Sequence, residues 1–186
     1  MDSRRMVTAL INSIPNIGTT DQSSNPLRDP PQESRNIFVT LYAIFEKELL
    51  PALDLLDRNL VTRLKTSETC KLYLVRSAQP QTSRNPQYEH INYYEVRLNA
   101  WSCSCPAFTF SAFPATSDDI APQPERLATM NEEWAFGGLT LGSDMPVCKH
   151  LLACVLVEHC QMFSHFVEEK QIAIEEMAGW AAGWGD

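Results

Sequence analysis

The sequence predicts an α+β fold in which helices flank a small antiparallel sheet. Three observations carry that expectation. Apolar residues recur at helical spacing in 37–50 and again in 148–170. The stretch between 60 and 105 is strand-like, and two closely spaced pairs of metal-binding side chains end the strands and open the last helix.

The chain opens on Met1-Asp2-Ser3-Arg4-Arg5. The apolar run that follows is short, is broken by Asn12 and Pro15, and precedes no small-residue cleavage site, so it does not read as a signal peptide. No apolar run reaches the roughly 18 residues that span a bilayer. A soluble intracellular protein is expected, whose six cysteines read as ligands or core residues before disulfides. Residues 12–36 are rich in Pro, Ser, Asn and Thr and bury too little to offset their ordering entropy. Residues 1–36 are therefore expected to be a short N-terminal segment and a flexible linker.

Residues 37–59 form the next unit, a helical element. Ile37, Phe38, Leu41, Ile44, Phe45 and Leu49 share a helical face, which predicts an amphipathic helix from about Ser34 to Leu50. Pro51 should end or kink it and then open a shorter helix through ALDLLDR (52–58).

Residues 60–170 read as one metal-binding domain. LVTRL (60–64), KLYLVRS (71–77) and INYYEVRLNAWSCSC (91–105) are rich in Leu, Val and Tyr, which predicts three antiparallel strands. Residues 114–146 read as an inserted loop, although EEWAFGGLTL (132–141) has the makings of a hairpin around Gly137-Gly138. The stretch 148–170 is expected to be helical, with Leu151, Leu152, Val155, Leu156, Met162 and Phe166 forming a broad apolar face. Residues 171–186 are left as an acidic tail. Its Trp180 and Trp184 suit a partner contact or a loosely docked terminus.

Charge narrows the function classes. The formal net charge of −8 argues against a broad nucleic-acid surface, whose affinity comes mainly from Lys and Arg on phosphates. Within 60–105, however, Arg63, Lys65, Lys71, Arg76, Arg84 and Arg97 stand against Glu68, Glu89 and Glu95 and leave +3. Residues 106–147 and 151–186 each come to −5. A modest basic face is thus expected on the middle segment.

The chemistry lies in Cys103-Ser104-Cys105 and Cys148-Lys149-His150. On an extended strand, residues i and i+2 point the same way, so Cys103 and Cys105 can grip one ion. On a regular helix i and i+2 diverge by about 200°, so the second pair works only where a turn becomes a helix. Met145-Pro146-Val147 supplies that turn. Three thiolates and one neutral imidazole complete a tetrahedral Zn²⁺ shell and leave no position for water, so the site is structural. The resulting charge of about −1 would be tempered by the helix dipole and Lys149.

The other candidates are weaker. Cys154 has apolar neighbours and reads as packed, and Cys160 and Cys70 read as packing or half-exposed thiols. His159 and His165 have no ligand-type residue spaced to join them and read as surface or satisfied histidines, and His90 reads as a loop residue. Asp54 and Asp57 read as solvated helix acids, with Asp57 or Arg58 candidates for an interface. HExxH, GxSxG, Walker-A and Cys/His dyad patterns are missing, which argues against an enzyme.

Strands ending in CxC, a spacer, and CxH opening a helix resemble the SWIM domain. CSCPAFTFSAF (103–113), CKHLLAC (148–154) and ALDLLDR (52–58) together resemble the SWIM-domain subunits of the Shu complex. Ala153 fills the alanine position of that family's extended motif. The resemblance covers roughly residues 37–170. The 42 residues between Cys105 and Cys148 are more than SWIM domains usually have, and read as an insertion that leaves ligation intact.

The resemblance implies a eukaryotic, nuclear, non-enzymatic subunit that assists homologous recombination. It implies pairing with a RecA-like paralogue of the strand-exchange recombinase, and promotion of recombinase filaments on single-stranded DNA through that complex. No small-molecule substrate and no membrane are implied. The competing expectation is a finger that binds DNA directly, with Tyr93, Tyr94 and Trp101 stacking on bases. Alternating aromatics of a strand are, however, more often core.

Overall fold

The computed structural model describes residues 3–15, 27, 30–67, 71–77, 93–113, 134–140 and 145–184. Three helices lead the chain: α1 (Ser3–Asn12), α2 (Gln32–Ile44) and α3 (Leu49–Asp57). Strands β1 (Val61–Lys65), β2 (Lys71–Arg76), β3 (Tyr93–Arg97) and the two-residue β4 (Ser102–Cys103) follow, and then α4 (Pro106–Ala112). The last elements are α5 (Lys149–His159), a 3₁₀ helix (Gln161–Phe166), β5 (Val167–Gln171) and α6 (Ile174–Ala181). The expected α+β class is what the chain adopts.

The sheet order is β4-β3-β2-β1-β5. The first four strands pair antiparallel and β5 joins β1 in parallel. Two features depart from the expected three strands. The third strand-like stretch divides into β3 and β4 at a turn, where Trp101 takes a left-handed φ of 49°. Residues 167–170, expected to continue the last helix, form an edge strand with Gln171 instead. VEEKQ has no apolar rhythm of its own, so its conformation follows from the open edge of β1 and from the ion pairs described below.

Alternation on the strands gives the sheet two apolar faces. Val61, Tyr73, Val75 and Val96 face the main core, with Leu55 and Leu56 of α3 and Leu151, Leu152, Val155 and Leu156 of α5. Leu64, Leu72 and Leu74 point the other way and are covered by Met177 and Trp180 of α6. Residues 151–157 of α5 are all buried, as expected of a helix enclosed by other elements rather than one with a single wet face.

The leading segments fold more fully than their composition suggests. Val7, Ile11 and Ile14 are buried in the main core, and α2 begins at Gln32, inside the stretch expected to be linker. The expected helix 34–50 breaks at Phe45, before Pro51. Phe45 leaves helical geometry, with φ −119° and ψ 51°, and its ring packs near Phe136 at 5.5 Å between centroids. Pro51 sits in the first turn of α3, where its missing N–H would have had no partner anyway. Of the expected apolar face, Leu41 and Leu49 are fully buried, whereas Ile44 is exposed.

Candidate metal centre

Cys103 lies opposite Val96 in the β3–β4 pair, which turns it to the main-core side of the sheet. Cys105, two residues on, caps α4, and its Sγ accepts from the Phe108 amide at 3.3 Å. Cys148 caps α5 in the same way, accepting from the Leu151 amide at 3.5 Å, and His150 stands one residue inside that helix. Cys103 Sγ accepts from the Cys105 amide at 3.4 Å. Each sulfur is therefore served by a backbone N–H, and two of them stand at the positive end of a helix.

The structure brings the four residues together. Their ligand atoms all lie within 4.8 Å of one another, and all four residues are buried. Nδ1 of His150 lies 3.8 Å from Cys103 Sγ, and the ring packs against Tyr94 at 4.5 Å between centroids.

The donor set fits a divalent ion on chemical grounds. Three buried thiols on their own cannot all ionise. Hydrogen bonds from Cys103 and Cys148 hold the Cys105 thiol well below its ordinary range. The bond to Cys105 pushes Cys103 far up, while Cys148, drawn down by Cys103 and up by Cys105 and burial, ends at about 11. Only a cation at the centre lets all three lose their protons together. Four protein ligands in a buried shell leave no place for a substrate or an activated water, so the ion's role is to hold β4, α4 and α5 together.

One residue crosses between the two halves of the site. Trp101, buried two residues before Cys103, donates its Nε1–H to the carbonyl of Pro146, two residues before Cys148, at 2.9 Å. Sequence reasoning offered Trp101 as a base-stacking residue and missed this link. The signal available was an aromatic at a fixed offset before CxC and a proline at the same offset before CxH. Tyr94 is half-buried against His150, and Tyr93 is exposed on β3.

The remaining candidates stand apart from the centre. Cys154 is fully buried in α5. Cys160 is buried, with its thiol pushed up to about 12. None of the five described cysteines is in a disulfide. His159 stacks on Trp134, with centroids 3.6 Å apart, and burial lowers its pKa to about 4. His165 is exposed against Phe166, and Asp54 pairs with Arg58 at 3.4 Å on an exposed helix face. Trp180 is half-buried under the sheet and Trp184 is exposed. Cys70, Arg84 and His90 lie outside the described residues. No hairpin strand occurs among described residues 134–140. They form a turn in which Gly138 has φ 51° and lies so close to the carbonyls of Leu98 and Asn99 that a Cβ would sit 2.6 Å from each.

Among the described residues, most of the expected basic face is paired with carboxylates. Arg63 is buried and donates to Glu169 at 2.6 Å and to the Val157 carbonyl at 3.1 Å, and it pairs with Glu158 at 3.2 Å. Lys65 pairs with Glu169 at 2.8 Å, Lys71 pairs with Glu158, and Arg97 pairs with Glu95. Burial works against the Glu158 carboxylate, but Lys71, Tyr73 and Arg63 hold its pKa below the usual carboxylate range. Four of the six basic side chains thus meet carboxylates, two of which arrive from the acidic C-terminal third. Arg76 remains exposed on β2.

No protein-family model matches the chain. Among similar proteins is the zinc finger SWIM domain-containing protein sws1 of Schizosaccharomyces pombe, 31% identical over 65 residues. That match takes in 35% of this chain and only 29% of the yeast protein's length. Zinc finger SWIM domain-containing protein 7 of Mus musculus is 26% identical over 149 residues, 78% of this chain and 72% of the mouse protein. Both relatives are SWIM-domain zinc-finger proteins. Both are thus named for the domain that the CxC and CxH pairs resemble, and the buried Cys₃His shell has the donor set of one structural zinc site.

Proposed function

We propose that this chain is a non-enzymatic accessory subunit of a homologous-recombination complex. It binds a RecA-like paralogue of the strand-exchange recombinase, and the pair promotes assembly or stability of recombinase filaments on single-stranded DNA. A nuclear location goes with that role. The observation that carries the reading is the closed, buried zinc shell: it makes the metal a staple rather than a catalyst, in a chain whose CSCPAFTFSAF, CKHLLAC and ALDLLDR resemble Shu-complex subunits. Exposed apolar side chains support work by protein contact: Val39 on α2, Leu50 on α3, and Phe110 and Phe113 at the end of α4. The pairing of Arg63, Lys65, Lys71 and Arg97 with carboxylates supports DNA contact through the partner rather than by this chain alone.

The test is co-expression with a candidate RecA-like paralogue, followed by a salt titration of single-stranded DNA binding by the lone protein, the partner and the pair. The expected result is a stable heteromer, weak or no binding by the lone protein at physiological salt, and binding by the pair. Tight, steeply salt-dependent binding by the lone protein would replace this reading with the direct DNA-binding finger. A chain that forms no heteromer with any such paralogue would overturn it.

A further inference from the structure

Helix α1 reaches the segment that leads into the second ligand pair. The guanidinium of Arg4 donates from Nε to the carbonyl of Phe136 at 2.9 Å, and from its two terminal nitrogens to Thr140 at 2.8 Å and Gly138 at 2.6 Å. One turn further along, Thr8 Oγ1 accepts from the Phe136 amide at 2.9 Å while donating to the Arg4 carbonyl at 2.8 Å. A planar fork of fixed N–H donors suits three carbonyls spread around one turn. Gly137 leaves the room for it: a Cβ there would lie 2.2 Å from Met145 Sδ and 3.1 Å from Arg4 Nε.

From that turn two contacts lead to the metal centre. Phe136 is buried and meets Trp101 edge-on, with centroids 4.7 Å apart, and Trp101 in turn holds the Pro146 carbonyl. The Leu139 amide donates to the carbonyl of Asn99, in the turn that carries Trp101, at 3.0 Å. The same 136–140 turn thus braces the approach to Cys103 and, through Trp101 and Met145, the approach to Cys148.

We propose that Arg4 is a positioning residue for the metal centre. By gripping the 136–140 turn against Trp101, it fixes how the Cys148–His150 pair meets Cys103 and Cys105, so that the N-terminal helix sets zinc retention. The proposal rests on the four-ligand site holding zinc, and the experiment separates the two claims. Zinc content of the wild-type full chain is measured first; a wild type without zinc refutes the metal reading itself. Release of zinc to a chromophoric chelator is then followed for wild type, Arg4→Ala, Arg4→Lys, Thr8→Val and, as a control, the exposed neighbour Arg5→Ala. Groups that orient metal ligands typically change metal affinity by about ten- to a hundredfold, so Arg4→Ala should release zinc about tenfold faster or more.

Arg4→Lys should not restore retention, because a compact ammonium cannot span three carbonyls. Arg5→Ala should match wild type. The amides of 136–140 should exchange faster with solvent in the fast-releasing variants. Release at the wild-type rate in Arg4→Ala, full rescue by lysine, or faster release without faster exchange of the turn would each overturn the proposal. If Arg4→Ala does not stay folded, the near-isosteric Thr8→Val decides: several-fold faster release supports the tether and an unchanged rate overturns it.

Discussion

Replacing Cys148 by serine removes one metal ligand while disturbing little else. Cys148 is the N-cap of α5, and serine is among the best N-caps, so the start of the helix is kept. The loss is therefore that of the metal. Cys148 is buried, as are Cys103, Cys105 and His150, so without the ion the two remaining cysteines would share a closed pocket in which they cannot both ionise. Structural zinc contributes on the order of 10 kcal/mol or more of folding free energy. The whole stability of a domain is about 5–15 kcal/mol. For a chain of this size each kcal/mol moves Tm by about 2–4 °C, so even ~3 kcal/mol of lost zinc binding lowers it by roughly 6–12 °C. Metal analysis and thermal melting followed by circular dichroism check both quantities. The variant should hold well under one zinc per chain and melt at least that much lower, or without a cooperative transition. Cys154→Ala, one helical turn beyond His150, is the control: it should cost about 0.5–3 kcal/mol in packing and keep its zinc. A Cys148→Ser protein that keeps one zinc and the wild-type Tm would refute the assignment of Cys148 as a ligand.

Three further outcomes are expected. Arg63→Met removes the buried cation between Glu158 and Glu169, which keep Lys71 and Lys65 as partners, and leaves the buried Val157 carbonyl without its donor, so it should cost about 1–3 kcal/mol in a denaturant titration; a loss under about 0.5 kcal/mol would show that β5 is held by other means. Leu41→Asp puts a charge at a fully buried position of α2, costs several kcal/mol and should precipitate the protein or abolish complex formation; unchanged soluble yield and partner capture would show the helix face to be dispensable. Burial lowers the pKa of His159 to about 4, so the fold favours the neutral ring. Its contribution is complete above the unfolded pKa of about 6.5 and is lost as pH falls toward 4. His159→Phe keeps a ring against Trp134 and should flatten the stability change between pH 7.5 and 5.5, whereas parallel curves for the two proteins would exclude His159 as the titrating group.

The amino-acid sequence by itself determined the Cys103, Cys105, Cys148 and His150 cluster, the fold class and the helical stretches that begin near Ser34 and at Cys148. These features are local. An i, i+2 pair on a strand and another at a helix start need no knowledge of the rest of the chain to be read as one tetrahedral shell. Leu41 of α2 and Leu49 at the start of α3, and Leu151, Leu152 and Val155 of α5, announce buried positions by spacing alone. What only the tertiary structure decided is what depends on partners far away in the chain. VEEKQ is a strand because β1 offers an open edge and because Arg63 and Lys65 meet Glu169, 106 and 104 residues away. Among the described basic residues of the middle segment, Arg63, Lys65 and Lys71 are met by Glu158 and Glu169, which reach them from the other end of the chain. Arg4 and Thr8, in an opening segment with no motif, hold the turn before CxH through bonds spanning 128 to 136 residues. Trp101, an aromatic at the end of a strand-like stretch, joins the two ligand pairs through the Pro146 carbonyl; their equal offsets from CxC and CxH mark the two residues in the sequence but not the bond between them. Side-chain periodicity reports which face of an element is buried; which partner buries it, and which backbone group a polar side chain finds there, is set only when the elements meet.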